Sequence, residues 1–108
     1  MNIHQNYLSI LSWNCNGIYG KVDEFKEFIK EQLPDLFLLQ ETHLRPGNKL
    51  KILNYTIVRN DYNGNSNRSM RGTAIGIKNN INFINTTLPP LQAINANAIT
   101  LYFPNTPL

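Results

Sequence analysis

An α/β fold is what the sequence predicts, on three observations made between Leu8 and Leu39: an apolar run that stops at an Asn-Gly turn signal, a helical periodicity directly after it, and a second apolar run without alternation. Leu8, Ile10 and Leu11 lead into Trp13, and Asn16-Gly17 ends the run, which reads as a strand over Leu8 to Trp13. Val22, Phe25, Ile29 and Leu33 then recur at spacings of three and four, with Asp23, Glu24, Lys26, Glu27 and Lys30 on the other face. That is an amphipathic helix, ended by Pro34. Leu36 to Leu39 reads as a strand covered on both faces, as in a parallel sheet. Strand, helix and strand in so short a span make a βαβ unit.

Beyond Glu41 a polar loop with Pro46 and Gly47 precedes a strand expected over Ile52 to Val58. Asn60 to Arg71 is rich in Asn, Ser and Gly and reads as a loop long enough to suggest function or disorder. Gly72 to Ile77, Ile81 to Ile84 and Asn97 to Phe103 are three further expected strands, the last broken by Pro104 and Pro107. The last strand shows Ile99, Leu101 and Phe103 on one face, and no helix follows to cover the sheet's second face. Layered α/β folds cover both faces, so residues 1–108 are expected to be the N-terminal part of a larger domain.

With 108 residues the chain holds one domain at most. A hydrophobic fraction of 42% marks a folding sequence rather than a disordered one. The formal net charge of +3 is too dilute to form a nucleic-acid patch by itself. A single cysteine, Cys15, excludes an internal disulfide, and the opening MNIHQNYLS lacks the basic start and apolar stretch of a secretory signal. An intracellular protein is expected, cytoplasmic or nuclear and not secreted. Leu36 to Leu39 is the longest apolar run and far too short to span a bilayer, so no membrane partner is expected.

The βαβ unit puts Asn14 just past its first strand and Glu41 just past its second, and such strands lie side by side and parallel. Two oxygen-bearing side chains would thus meet at the carboxyl edge of a sheet, where open α/β folds bind ligands. The pair suits Mg²⁺, a hard ion that takes one or two carboxylates and keeps several waters. Mn²⁺ accepts the same oxygens. Asn14 would complete the shell or orient a water or phosphate beside it. From these residues alone a second reading stays open, in which Asn14 and Asn16 only shape a turn and Glu41 is a solvated strand end. Trp13 and Cys15 alternate with Asn14 and are expected to face the core. With no basic partner evident, Cys15 is not read as a catalytic thiol.

LSWNCNGI (11–18) and LFLLQETHL (36–44) together resemble the opening of the endonuclease/exonuclease/phosphatase superfamily, in particular the endonuclease of non-LTR, LINE-like (jockey-type) retrotransposons. MRGTAIGIKNNI (70–81) resembles the family's strand after a variable loop, and ITLYFPNTPL (99–108) its strand with a Tyr-x-Pro-Asn ending. The resemblance implies an incomplete four-layer α+β sandwich. It implies that Glu41 is the metal-binding carboxylate, that Asn14 helps hold the metal or the scissile phosphate, and that Asn16 lies at the rim of the same site. Tyr102 resembles the family's active-site tyrosine, whose hydroxyl steadies charge on the phosphate. His43 matches the QETH form and reads as a DNA contact or a local structural residue. Arg68, Arg71 and Lys78 are expected to touch the phosphate backbone, because the loop they flank would lie near the mouth of the site; a solvated loop is the other reading.

The family completes its site with an Asp-x-Asn pair, a further Asp and a terminal Asp-His motif, all downstream of the tyrosine strand. None of them falls within this sequence, so the chain by itself is expected to have almost no activity. In the parent protein the resemblance implies Mg²⁺-dependent nicking of DNA that leaves a 3′ hydroxyl for a downstream reverse-transcriptase domain. The competing expectations are another phosphoesterase of the superfamily (an abasic-site endonuclease, a deadenylase or an inositol-phosphate phosphatase), a non-catalytic remnant that binds nucleic acid through Arg68, Arg71 and Lys78, and an unrelated small α/β binding module.

Overall fold

A computed structural model of the chain describes residues 7–61, 71–89 and 96–102. Its elements run β1 (Ile10–Asn14), a single 3-10 turn (Tyr19–Lys21), α1 (Val22–Gln32), β2 (Leu36–Gln40), β3 (Tyr55–Asn60), β4 (Thr73–Lys78), β5 (Asn82–Thr86) and β6 (Ala98–Tyr102). β1 and β2 are parallel neighbours joined by α1, as the sequence predicts. The other two strands of the sheet join antiparallel. The sheet order is β1-β2-β4-β3, with β4 antiparallel to both β2 and β3. β5 and β6 form a separate antiparallel pair.

Alternation along each strand sorts the side chains into two layers. On the helix side Phe37 and Leu39 of β2, Ala74 of β4 and Tyr55 of β3 meet Phe25 and Ile29 of α1. The rings of Trp13, Phe25, Phe37 and Tyr55 follow one another at centroid distances of 5.3, 5.2 and 5.1 Å, spacings at which aromatic pairs attract. Gly76 stands opposite Phe37 in the ladder, and a Cβ there would lie 2.0–2.4 Å from the Phe37 ring. Only glycine leaves the ring its place. On the other side Leu36, Ile75 and Ile77 are covered by Ile81, Phe83, Ile99 and Leu101. The β5–β6 hairpin therefore supplies the second cover that no helix was expected to give, and β2 is enclosed on both faces.

Two boundaries differ from the pattern reading. Leu33 is not on the apolar face of α1 but is its C-cap, at φ 48°, donating its N–H to the Ile29 carbonyl and 54% exposed. The proline that follows cannot continue the helix, and the left-handed cap turns the chain into β2. The third strand begins at Tyr55, not Ile52, because Asn54 at φ 74° closes a turn in which the Tyr55 N–H bonds the Ile52 carbonyl at 3.2 Å. Ile52 is still buried, as the plug beneath that turn. At the lower edge, where β1 and β2 start, buried Asp35 accepts the Ser9 N–H at 2.8 Å and faces Lys78 Nζ at 3.7 Å. Those contacts lock the starts of β1 and β2 to the end of β4. Phe103 lies outside the described residues.

Candidate active site

The parallel ladder does not stop where the strands do. Past Asn14 the Cys15 N–H bonds the Gln40 carbonyl, the Gly17 N–H that of Glu41 and the Ile18 N–H that of Thr42, at 2.8–3.0 Å. On the other flank the Thr42 N–H bonds the Gly72 carbonyl and the His43 N–H that of Arg71, at 3.0 and 2.9 Å. The loops after β1 and β2 and the approach to β4 are thereby pinned side by side at the upper edge. To do this the chain bends sharply, with Asn16, Gly17, Glu41, His43 and Gly72 all at φ between 45° and 111°. Non-glycine residues held left-handed cost roughly 1–3 kcal/mol each and concentrate at functional sites.

Asn14 closes β1, and its Nδ2 donates to Oε2 of Glu41 at 2.5 Å. Its Oδ1 accepts the Asn16 N–H at 3.2 Å, an Asx-type turn. Asn14 therefore shapes the turn and also reaches the carboxylate. Nε2 of His43 lies 3.9 Å from Oε1 of Glu41, and the Glu41 side chain is 43% exposed. Asn16 is exposed at the rim.

Beneath the loop, Lys21 Nζ donates to the carbonyl of Cys15 at 2.7 Å and to that of Asn16 at 3.4 Å. Cys15 is buried as expected, and burial pushes its thiol up to about 11, against the pull of the Lys21 charge. The sequence reading missed this lysine; the cation is present but burial outweighs it, so the thiol stays protonated and inert. Nothing in the spacing marks Lys21, since its contact depends on how the 3-10 turn folds back. Arg59 is a second residue that the pattern does not reveal: it bonds the carbonyls of Asn48 and Arg45 and pairs with Asp61 at 2.7 Å, tying down the loop after His43.

Not every expected residue comes to this edge. Arg71 does, by its carbonyl to His43, and Arg68 lies outside the described residues. Lys78 does not. β4 runs antiparallel to β2, so Thr73 pairs with Gln40 at the upper edge while Ile77 pairs with Leu36, which leaves Lys78 below, with Asp35 and the Leu33 carbonyl. Tyr102 also lies at the lower edge. Asn97, just before β6, is bonded at the upper edge to Thr73 and to the Val58 carbonyl. From there β6 runs down to Tyr102, which pairs with Asn82, four residues after Lys78. A strand of this length covers about 13 Å. Tyr102 is 62% exposed at that far end, so the structure does not bring it together with Asn14 and Glu41.

The donor set can be tested against a divalent cation. Among the described residues no group of three or more His, Cys, Asp or Glu side chains gathers. One half-exposed carboxylate still fits Mg²⁺, which binds through one or two carboxylates and keeps its waters. Asn14 holds that carboxylate by an N–H and turns its own oxygen to the Asn16 N–H, so in this arrangement it orients Glu41. Reversing the amide would set two acceptor oxygens against each other at the same short distance.

A mixed α/β layer thus carries a hydrogen-bonded Asn–Glu pair at the carboxyl edge of its parallel strands, where open α/β folds bind ligands. The model of the Endonuclease/Exonuclease/phosphatase family matches residues 11–107, and the chain belongs to that family. The chain is similar to two Drosophila melanogaster proteins described as probable RNA-directed DNA polymerases, from transposon BS (32% identical over 83 residues, 77% of this chain) and from transposon X-element (33% over 75 residues, 68% of this chain). It is also similar to a DNA-(apurinic or apyrimidinic site) endonuclease of Dictyostelium discoideum, 34% identical over 47 residues, 43% of this chain. It spans 8% of each transposon protein and 13% of the endonuclease. No helix among the described residues is long and apolar enough to cross a membrane.

Proposed function

We propose that this chain is the N-terminal part of a divalent-metal-dependent DNA endonuclease of a non-LTR retrotransposon, with Glu41 as its metal-binding carboxylate. The observation that carries the reading is the Asn14–Glu41 hydrogen bond at the carboxyl edge of β1 and β2. The likeness to two transposon polymerases supports the mobile-element branch and a downstream reverse-transcriptase domain. In this reading Asn14 and the left-handed backbone at Glu41 present the carboxylate outward, and the scissile phosphate docks above it. Mg²⁺ or Mn²⁺, when bound, would polarise a phosphate oxygen and offset the charge that develops on it. Asn16 and Arg71, at the rim, contact the DNA backbone. Tyr102 and Lys78 have no part in this site.

The test is a plasmid-nicking assay with Mg²⁺ on the chain extended through the reading frame downstream of Leu108, beside the 108-residue chain. Nicking that needs Mg²⁺ and is lost in Glu41→Ala supports the proposal, and nicking by Glu41→Ala at the parent rate would overturn it. The resemblance to an abasic-site endonuclease favours a second reading, repair-type incision. An oligonucleotide with one abasic site separates the two: cutting confined to that site would assign the chain to the repair branch.

A further inference from the structure

Glu41 offers two carboxylate oxygens, and the structure sets a different donor beside each. Asn14 Nδ2 reaches Oε2. Oε1 faces His43 Nε2 at 3.9 Å, and that nitrogen is buried with no hydrogen-bond partner among the described residues. A carboxylate only accepts, so a neutral imidazole turned toward it presents an N–H. The ring has been given this place by the backbone. His43 sits at φ 59° with its own N–H tied to the Arg71 carbonyl, and Gly17 leaves the space in which a Cβ would stand 3.0 Å from His43 Nδ1. Gly17 is in turn bonded to the carbonyl of Glu41 itself.

We propose that His43 is a positioning residue for Glu41: when the carboxylate takes a divalent cation, Nε2–H closes on Oε1 and, with Asn14 on Oε2, fixes the carboxylate plane. The gap to a hydrogen bond is about 1 Å, within the reach of a side-chain rotation, and hydrogen bonds in unliganded sites are often long and tighten on binding. Metal ligands are commonly held in this way by partners one layer out. The inference rests on Glu41 as the metal carboxylate, and it gives His43 a role where the sequence left a DNA contact and a local structural residue open.

The experiment measures Mn²⁺ binding to the 108-residue chain by electron paramagnetic resonance of the free ion, for the parent, Glu41→Ala, His43→Phe and His43→Gln, each first checked for cooperative thermal unfolding. Phenylalanine keeps the ring and loses the donor; glutamine loses the ring and keeps a donor. His43→Phe is expected to weaken Mn²⁺ binding about 10–100-fold, with His43→Gln recovering most of it. A role in packing alone reverses that order and would overturn the proposal. Should Glu41→Ala bind Mn²⁺ like the parent, the reading of Glu41 falls, and this inference with it. If Glu41→Ala loses binding and His43→Phe keeps it, only this inference falls. A measurement without substitution stands beside these: in long-range ¹H–¹⁵N spectra of the unaltered chain, the His43 Nε2 resonance should shift when Mg²⁺ is added, and a resonance that stays put while Mg²⁺ binds overturns the proposal.

Discussion

Asn14 and Glu41, 27 residues apart in the chain, are joined by an Nδ2–Oε2 hydrogen bond of 2.5 Å that links the end of β1 to the end of β2. Removing the donor leaves the core untouched. Asn14→Ala is therefore expected to lower nicking by the extended protein about 10–100-fold, while its urea midpoint falls only modestly, since the two exposed hydrogen bonds it loses, to Glu41 and from the Asn16 N–H, contribute about 1 kcal/mol each. Parent-level nicking by this variant would mean that Glu41 needs no such partner.

The contact between Phe37 and Gly76 makes a separate prediction about the fold. Phe37→Ala opens a cavity in the helix-side layer and should cost about 3–5 kcal/mol. Gly76→Ala drives a methyl into the ring and should cost about 1–3 kcal/mol. The two are neighbours, so a Gly76→Ala, Phe37→Leu double variant should be more stable than the sum of its single changes allows. Urea titrations of the parent, Gly76→Ala, Phe37→Leu and the double variant decide it; strict additivity would contradict the close approach at Gly76.

Tyr102 and Lys78 lie at the edge away from Glu41. Tyr102→Phe and Lys78→Ala should therefore nick at nearly the parent rate. Loss of nicking in Tyr102→Phe would show that the hydroxyl acts at the phosphate after all, and would refute the placement of β6.

Cys15 gives a pH dependence with a definite sign. Its thiol is raised by burial from 9.0 to about 11, so the folded state holds the proton more tightly than the unfolded state does. The stabilisation is complete below pH 9 and is lost as pH climbs toward 11. Between pH 8 and pH 10 the urea midpoint of the parent should fall further than that of Cys15→Ala. Equal falls would mean that the thiol is not responsible. Nicking at neutral pH should be the same in both proteins.

Much of the fold was legible because its signals are local. The spacing of Val22, Phe25 and Ile29 specifies one helix face, and Leu36 to Leu39 without alternation specifies a strand with two covered faces. The first lies on the core as expected, and the second is enclosed by α1 on one side and the hairpin on the other. Leu33 was misread because periodicity continues to the helix cap, while the cap's left-handed turn swings the side chain out. Asn14 and Glu41 were legible as a pair for a further reason: a helical crossover forces β1 and β2 to be parallel, so both strand ends must share an edge.

What the sequence by itself determined, then, is the βαβ start, the alternation of faces and the meeting of Asn14 with Glu41, all consequences of short-range pattern and of one handed connection. What only the tertiary structure decided is direction and neighbourhood. An alternating strand reads the same whichever way it runs, so nothing in GTAIGIK says that β4 descends beside β2 and carries Lys78 to Asp35. Nor does anything in AITLY say that β6 starts at the upper edge and ends, with Tyr102, at the lower one. The same holds for the facing of His43 and Glu41, which depends on two left-handed residues and on the missing side chain of Gly17. Strand direction and loop geometry are settled by pairing between distant segments, and that information resides in no single stretch of sequence.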